Sequence, residues 1–592
     1  MASGRVLGGD RSTLFNADRT ASFAAISLTS ICSWIYYSFM MDGFDLGMNK
    51  YSEGRGARLR KRCYALFRQT IRLANNNSRV VAGVFFLAFL LVGLHSYRDY
   101  GLSWDEGVNR HTGWVSFNYI FKGDKSLLTF SARSHGVAFE VPLVILENAF
   151  HWRSLREIYF MRHLLTFLAF YAGVYFFYRL GRLYFESWKI GLLGSLFLVL
   201  SPRIFADAFY NSKDLVFLSF FIISMYTLFN FLRKMSLPWA VAHSLSCAIL
   251  TDVRVLGIMV PCLTLVLYIT AAFGRGRLVK TQLRKNISAF LVFLFLTVFF
   301  VILFWPFLWS NPLEHFIQAF QKMSHFNWPW QDLYMGKLVP ATHLPWHYIP
   351  VWILITTPML YTFNFLIGLL STVPSAGKRW RHLLSAERGR FQLAVLLWFF
   401  SPLLMVIIFR SVLYDAWRHM FFIYPAFLLI SVQGVVAIFA FFKTQRPTYL
   451  IGRAVFALAI LFSVLHTLDF MTTYHPYQNV YFNMLAGRDL RANWELDYWG
   501  LSYRKALEYI LERDGDNKIK ILVGNDPGRL NADILTPRQK KRLVYVSDPK
   551  EAKYLLSEFR SLKLHSQYYP YSNEFYSIHV GRAKIMVVYK LR

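Results

Sequence analysis

Charged residues are scarce in this sequence, and acidic residues are the scarcer kind. Only 17% of its 592 residues are Asp, Glu, Lys or Arg, whereas 55% are hydrophobic. Soluble globular proteins carry about 25% charged residues, so this shortage excludes that class and indicates a polytopic membrane protein. The 34 acidic residues are outnumbered by 65 basic ones, which gives a net charge of +31. In a membrane protein such an excess is typical of cytoplasmic loops and of contact with anionic lipid or phosphate.

Cysteine is rare as well. The chain contains only Cys32, Cys63, Cys247 and Cys262. None of them has the Cys-x-x-Cys or Cys/His spacing of a zinc site, and they are too few and too scattered for a disulfide framework. We therefore expect packing roles for them. The sequence also lacks a nucleic-acid-binding motif, so no nucleic acid partner is expected despite the positive charge.

Long apolar runs are abundant. A transmembrane helix needs about 20 apolar residues, and runs near that length predict about eleven transmembrane helices. They lie at residues 80–94, 157–178, 187–202, 215–232, 237–250, 255–273, 287–309, 348–371, 391–410, 420–442 and 450–470. The connecting segments on one side are dominated by Lys and Arg, as the positive-inside rule requires of cytoplasmic loops. The other loops are therefore predicted to lie outside.

The two ends of the chain differ from this apolar middle. Residues 1–78 are predicted to be an N-terminal cytoplasmic extension, in which 22–41 could be an extra membrane helix because it lacks charge over a membrane-like length. Residues 79–470 are the predicted transmembrane domain. Residues 471–592 change to short alternating apolar runs, which predicts a small soluble α/β domain outside the membrane. Its strands are predicted at 518–523, 543–546, 575–580 and 585–589, and its helices at 502–513 and 549–558.

Ionisable residues gather in the predicted outside loops. They are Asp105, Glu106, Asp207, Lys213, Asp214, Asp252, Arg254, Asp415, Arg418 and His419. A charge at mid-membrane costs at least about 2.5–3.5 kcal/mol on the insertion scale, so acids and bases that meet near the membrane are functional candidates. A carboxylate can accept the proton of an attacking hydroxyl group. Arg, Lys and His can hold an anionic leaving group such as a phosphate.

Structural alternatives exist for the same residues. The first two acids could simply begin a solvated loop. Asp252 and Arg254 could form a snorkelled pair in a tight hairpin. Lys213 could make a local ion pair with Asp214, worth under about 1 kcal/mol. His419 could be an ordinary interfacial histidine, so these loops need contacts with one another before a function follows.

Four motifs in these loops resemble those of a known family. They are Trp104-Asp105-Glu106-Gly107; Ser201-Pro202-Arg203 with Asn211-Ser212-Lys213-Asp214; Leu344-Pro345-Trp346-His347-Tyr348 with Thr356-Thr357-Pro358; and Tyr414-Asp415-Ala416-Trp417-Arg418-His419 with Tyr424-Pro425. With these four motifs in this order, the chain resembles the glycosyltransferase C superfamily. More narrowly, it resembles the protein O-mannosyltransferase-like and aminoarabinose-transferase-like family, which uses polyprenyl-phosphate sugars. The resemblance covers roughly residues 80–470.

This resemblance implies a glycosyltransferase C type of helical fold and an inverting sugar transfer from a polyprenyl-phosphate donor to an acceptor hydroxyl. The acceptor would be a lipid, a glycan or a protein, at the extracytoplasmic or lumenal face of the plasma (inner) membrane or the endoplasmic reticulum. The implied catalytic residues are Asp105 as general base, Glu106 as the group that shapes its charge or the acceptor site, and Asp214 as a second acid, preferred to Asp207. The implied donor phosphate-binding residues are Arg418, His419, Lys213, Arg254 and Tyr348. Neither a metal nor another cofactor is implied.

Two other functions fit parts of the pattern. A transporter or flippase of a lipid-linked or anionic substrate could use the same charged cavity. Transporters tend to contain internal repeats with broken helices at matched positions, and the sequence shows no such halves. A structural scaffold would have no reason to gather acids and bases in its outside loops. We therefore expect an enzyme.

Overall fold

The computed structural model describes residues 77–274, 280–324, 328–377, 386–442, 447–560 and 573–592. The predicted extension and its possible helix at 22–41 lie outside these ranges, apart from residues 77 and 78. The described chain is mainly helical and divides into two compact units. One unit contains the helices Ser78–Ser96 and Pro447–Thr473, and the other contains Tyr97–Ala437 and Tyr474–Arg592.

Apolar helices of nine to 31 residues dominate the second unit. They are Leu155–Phe185, Trp188–Val199, Pro202–Tyr210, Asp214–Lys234, Leu237–Val253, Met259–Gly274, Lys280–Phe304, Tyr348–Thr356, Met359–Gly377, Glu387–Ile408 and Tyr424–Phe441. Within the described ranges of the whole chain, seven helices are long and apolar enough to cross a membrane. An eighth span results if Trp188–Val199 and Pro202–Tyr210, which are bent by 70°, count as one. The prediction of a polytopic helical membrane protein is confirmed.

Four of the eleven predicted spans are shorter or broken helices. They are the segments at 187–202, 237–250, 255–273 and 348–371. The last segment shows why a hydropathy pattern misses such breaks. Pro358 disfavours the helical conformation for the residue before it, and Thr357 is extended, with φ −105° and ψ 143°. The predicted span is therefore two helices, Tyr348–Thr356 and Met359–Gly377.

Glycine lets two of the helices touch through their backbones. Gly368 faces Gly434 of Tyr424–Phe441, and a Cβ atom at Gly368 would lie only 1.9 Å from the carbonyl oxygen of Ile430. Transmembrane helices associate by van der Waals packing and hydrogen bonds, so small residues at their contacts allow a close approach. This contact fixes the position of the helix Tyr424–Phe441, which directly follows the 3-10 turn Arg418–Ile423.

Shorter elements lie between the apolar helices. They are the helices Glu106–Lys122, Glu140–Ala149 and Pro312–Ser324, and the antiparallel strands β1 (Gln331–Tyr334) and β2 (Lys337–Pro340). They occupy the loops that the sequence predicts to be outside. The first helix begins directly after Asp105, so its start belongs to the candidate site.

The C-terminal residues form a five-stranded mixed sheet, and four of its strands lie where the alternating pattern predicts them. Its strands are β3 (Ile519–Val523), β4 (Leu543–Tyr545), β5 (Tyr554–Ser557), β6 (Glu574–Val580) and β7 (Ala583–Lys590). The strand order is β4-β3-β5-β7-β6, with β3 parallel to both of its neighbours and β7 antiparallel to both of its own. The predicted helix Ser502–Arg513 contacts β5, β6 and β7, and its residues Leu507 and Ile510 are buried.

The helix predicted at 549–558 is wrong, because part of this segment is strand β5. All four residues of β5 are buried. A short continuous apolar run fits a buried strand as well as a buried helix, so periodicity cannot separate the two. Parallel pairing with β3, in which Tyr554 lies opposite Ile521, determines the outcome.

Candidate active site

The first loop is fixed by residues of the C-terminal part of the chain. A Cβ atom at Gly101 would lie 2.4 Å from the carbonyl oxygen of Leu501, so only glycine allows this approach. The Leu102 N–H donates to Asn531 Oδ1 at 2.8 Å, and Asn531 Nδ2 donates back to the Leu102 carbonyl at 2.9 Å. The Trp104 N–H donates to the carbonyl of Trp499 at 3.3 Å. These contacts set the position of Asp105.

Arg418 connects the three loops that carry the predicted acids. Its Nη1 lies 3.0 Å from Asp105 Oδ2 and 3.3 Å from Asp214 Oδ2, and its Nη2 lies 3.1 Å from Asp415 Oδ2. The Arg418 side chain is only 3% exposed, whereas that of Asp105 is 34% exposed. A guanidinium group holds several carboxylates with five N–H donors in a rigid planar fork, whereas the ammonium group of a lysine has three donors on a flexible stem. The structure thus brings Asp105, Asp214 and Arg418 together.

Asp214 begins the helix Asp214–Lys234 and is buried. A carboxylate there is favoured because the helix dipole leaves partial positive charge at the N-terminus. Asp214 Oδ1 also accepts a hydrogen bond from Arg254 Nη2, and Asn211 holds both the backbone N–H and Oδ2 of Asp214. Asp207, the less favoured acid, accepts hydrogen bonds from Tyr210 and Asn211 instead.

Arg254 pairs with Asp214 and not with Asp252. Asp252 accepts a hydrogen bond from the Ala138 N–H at 2.6 Å. The alternative in which Asp252 and Arg254 pair with each other in a tight hairpin is therefore wrong. Two guanidinium groups, of Arg254 and Arg418, share the carboxylate of Asp214.

Three buried side-chain nitrogen atoms near this carboxylate lack hydrogen-bond partners among the described residues. They are Arg418 Nε, Arg254 Nε and His419 Nδ1. Across the same ranges, no carboxylate oxygen lies within 4.0 Å of Lys213 Nζ, so the alternative of a direct ion pair with Asp214 is not formed. Burial, together with the neighbouring charge of Arg254, lowers the pKa of Lys213 to about 7. These groups suit an anion that supplies the missing acceptors.

Glu106 points to different partners from Asp105. It is 4% exposed, its Oε2 accepts the Ser103 N–H at 2.7 Å, and its Oε1 lies 2.9 Å from His163 Nε2. The other ring nitrogen of His163 lies 3.2 Å from the Tyr97 carbonyl. The contacts of Glu106 thus stabilise the turn that carries Asp105. Its predicted influence on the charge of the base or on the acceptor site stays a prediction.

Tyr348 belongs to a neighbouring group of acids. Its hydroxyl donates to Asp332 Oδ2 at 2.6 Å. Oxygens of Asp332, Asp415 and Glu495 lie within 4.8 Å of one another, which is a spacing that a divalent cation could use. Burial raises the pKa of Glu495 to about 7 and raises the pKa of Asp332 well above its usual value. Asp332 Oδ1 and Glu495 Oε2 are buried without partners in the described part of the chain.

Sequence reasoning missed the contribution of Arg560. Its Nη2 donates to Asp415 Oδ1, the oxygen that Arg418 leaves free, and its Nη1 donates to the Tyr498 carbonyl at 2.7 Å. Arg560 lies just after β5 in the C-terminal domain, far from every motif in the chain. No signal in a single sequence could have found it, because the contact depends on how the domain packs.

Comparisons with known proteins give a remote structural likeness. No family description matches the chain, and no curated protein matches it. Among solved structures, ArnT from Cupriavidus metallidurans bound to undecaprenyl phosphate is similar at 13% identity and a TM-score of 0.44, over 86% of this chain and 98% of that one. The structure of ArnT from Cupriavidus metallidurans in the apo state gives the same values.

Proposed function

We propose that this integral membrane protein transfers a sugar, with inversion, from a polyprenyl-phosphate donor to an acceptor hydroxyl at the extracytoplasmic face. The observation that carries the proposal is the group formed by Asp105, Asp214, Arg254 and Arg418, in which one carboxylate is accessible and Nε of each arginine is buried without a partner among the described residues. The ordered motifs of the four loops support the same reaction.

Asp105 has the properties of the general base. Its Oδ2 is held by Arg418, whereas its Oδ1 has no hydrogen-bond partner among the described residues, and the side chain is partly exposed. The acceptor hydroxyl would give its proton to Oδ1 while its oxygen forms a bond to the anomeric carbon. The bond between that carbon and the phosphate oxygen breaks, and the electron pair leaves with the polyprenyl phosphate. Inversion requires no covalent nucleophile.

The basic side chains around Asp214 would bind the leaving phosphate, in part through nitrogen atoms that have no partner among the described residues. Arg418, Arg254, Lys213 and His419 surround Asp214, and a phosphate presents several acceptor oxygens to such donors. The fixed positive charge would stabilise the negative charge that develops on the phosphate oxygen in the transition state. Tyr348 would act more remotely, because its hydroxyl is bound to Asp332.

The reaction would need no divalent metal, because the guanidinium groups already supply the charge that a metal would provide. If the reaction did need a divalent metal, the group of Asp332, Asp415 and Glu495 is the place where it would bind. Turnover that is unchanged by a chelator, and not increased by added Mg²⁺, Mn²⁺ or Zn²⁺, is the expected result.

The test is turnover by purified protein in liposomes that contain undecaprenyl-phosphate monosaccharides and a panel of lipid, glycan and peptide acceptors. We expect release of undecaprenyl phosphate together with a glycosylated acceptor, whose anomeric configuration, read by NMR, is opposite to that of the donor. A retained configuration would contradict the inverting step. Transport of the lipid-linked sugar without any glycosylated product would favour a flippase and overturn the enzyme.

A further inference from the structure

Arg560 contacts two of the loops that form the candidate active site. Besides its contacts to Asp415 and Tyr498, its guanidinium carbon lies 5.4 Å from the ring centroid of Trp104. Trp104 precedes Asp105, and Asp415 binds Arg418. One residue of the C-terminal domain therefore touches the neighbour of the base on one side and the partner of the phosphate-binding arginine on the other.

Asp415 is the bridge between the two arginines. Its Oδ2 accepts from Arg418 Nη2 at 3.1 Å, and its Oδ1 accepts from Arg560. Asp415 and Ala416 have φ angles of 57° and 63°, a left-handed conformation that is costly for residues other than glycine and persists only where surrounding contacts impose it. With both oxygens bound, Asp415 leaves Nη1 of Arg418 to face Asp105 and Asp214.

The acids around Asp415 increase its dependence on Arg560. Oxygens of Asp332 and Glu495 lie within 4.8 Å of an Asp415 oxygen, and three carboxyl groups that close cannot all be ionised unless a cation lies beside them. Without Arg560, the bridge would lose its second partner, and Asp415 would turn towards the remaining donors. The guanidinium group of Arg418 would then lose its fixed orientation.

We propose that Arg560 is a positioning residue that acts through Asp415 to orient Arg418, and that the C-terminal domain thereby forms part of the active site. The inference rests on the proposed function, since Arg418 is taken to bind the donor phosphate. Arg560 itself does not touch the phosphate. Loss of Arg560 should therefore weaken binding of the polyprenyl-phosphate donor by changing the orientation of Arg418, and not by removing a direct contact with the phosphate.

The test measures the binding of undecaprenyl phosphate to the full-length protein and to four variants. They are Arg560→Gln, Arg560→Lys, Asp415→Asn and the double variant of Arg560→Gln with Asp415→Asn. We expect Arg560→Gln to weaken binding about tenfold or more, because hydrogen bonds between charged groups are lost. Arg560→Lys should fall between this variant and the wild type. The double variant should bind no more weakly than Asp415→Asn alone, since residues that act through one another are not additive.

Three controls separate positioning from general damage. Arg513→Gln removes an exposed arginine of the same domain and should leave binding unchanged. Millimolar guanidinium ion should partly restore binding to Arg560→Gln, which a general loss of folding would not allow. The unfolding midpoint of each variant shows whether the folded fraction accounts for the effect.

Distinct outcomes overturn the proposal. Unchanged affinity in Arg560→Gln, additive losses in the double variant, or a loss explained entirely by a lower folded fraction would each overturn the positioning role and leave the proposed function intact. Wild-type protein that binds no undecaprenyl phosphate would overturn the proposed function and this inference with it.

Discussion

Two buried clusters of this protein are each built on one arginine, and they differ in whether their hydrogen bonds are complete. Arg162 lies between Glu140 and Glu147, and Glu147 also accepts from Arg110 and Trp114. None of the side-chain atoms of these residues is buried without a partner in the described chain. We call this group the Arg162 cluster. A buried ion pair that is fully bonded has no capacity left for a ligand.

The Arg418 cluster, formed by Arg418 with Asp105, Asp214, Asp415 and Arg254, is incomplete. Nε of both arginines is buried without a partner among the described residues, and Asp105 is partly exposed. A buried donor without a hydrogen bond destabilises the protein by about 1–3 kcal/mol. An anion that supplies acceptor atoms to these donors would therefore bind favourably there. Both clusters are charged and centred on a buried arginine. The candidate site differs from the Arg162 cluster in its unsatisfied nitrogen atoms and in the accessible carboxylate of Asp105.

Asp105→Asn should have the largest effect on activity. The amide can still accept from Arg418, but it cannot take the proton of the acceptor hydroxyl, so kcat should fall by about 10²–10⁴-fold. Binding of undecaprenyl phosphate should stay within a few-fold of the wild type. Asp124→Asn is the matched control, because Asp124 is exposed and asparagine can also cap the Ser126 N–H. Wild-type turnover in Asp105→Asn would show that another group is the base.

Arg418→Lys tests the incomplete cluster through binding. One ammonium group cannot replace two nitrogens that hold three carboxylates. We expect undecaprenyl phosphate to bind about 10–100-fold more weakly, as follows from the loss of one or more charged hydrogen bonds. The measurement is a lipid-binding titration, with Arg388→Lys as an exposed control. Equal affinities for Arg418→Lys and the control would remove Arg418 from the phosphate site.

Glu147→Gln tests the complete cluster and should change stability instead of binding. The neutral amide leaves Arg162 and Arg110 with less charge compensation, so the protein should lose about 1–3 kcal/mol of unfolding free energy. The unfolding midpoint in detergent should fall, whereas the affinity of the folded protein for undecaprenyl phosphate should stay within twofold. Loss of affinity at an unchanged midpoint would show that the Arg162 cluster also belongs to the site.

The sequence alone could predict which loops contain the site, but not the bonding within it. The apolar runs and basic loops predict the helices. The motifs name Asp105, Asp214 and Arg418, and the gathering of ionisable residues in the outside loops adds Arg254; the structure places these four residues in one cluster. The roles of these residues stay predictions. Separating the adjacent acids needs the packing, because Glu106 turns to His163 while Asp105 faces Arg418.

What the sequence could not predict depends on contacts between distant segments. Arg560 reaches Asp415 across 145 positions of the chain, and a single sequence carries no trace of such a contact. Strand β5 is a local example, since its apolar run fits a helix equally well until β3 pairs with it. The break at Pro358 was readable in principle, because proline restricts the residue before it.

Lys213→Arg should have the smallest effect, and that effect should depend on pH. Lys213 has a pKa of about 7, so its ammonium group is cationic below that pH and neutral above it. Its contribution to phosphate binding should therefore be lost as the pH rises from 6 to 8. A phosphate monoester becomes more negative over the same range, with a pKa of about 6, which strengthens binding to all other cations. Arginine stays charged throughout, so a comparison of the two proteins isolates the lysine.

The quantity to measure is the ratio of undecaprenyl phosphate affinities of Lys213→Arg and wild type at each pH. It should be close to one at pH 6 and rise several-fold by pH 8, because only the wild type loses a charge. Lys234→Arg, at an exposed lysine near Trp239, should give a ratio that does not change with pH. A constant ratio for Lys213→Arg would mean that Lys213 does not face the phosphate, and the incomplete cluster would then bind its anion through Arg254, Arg418 and His419 alone.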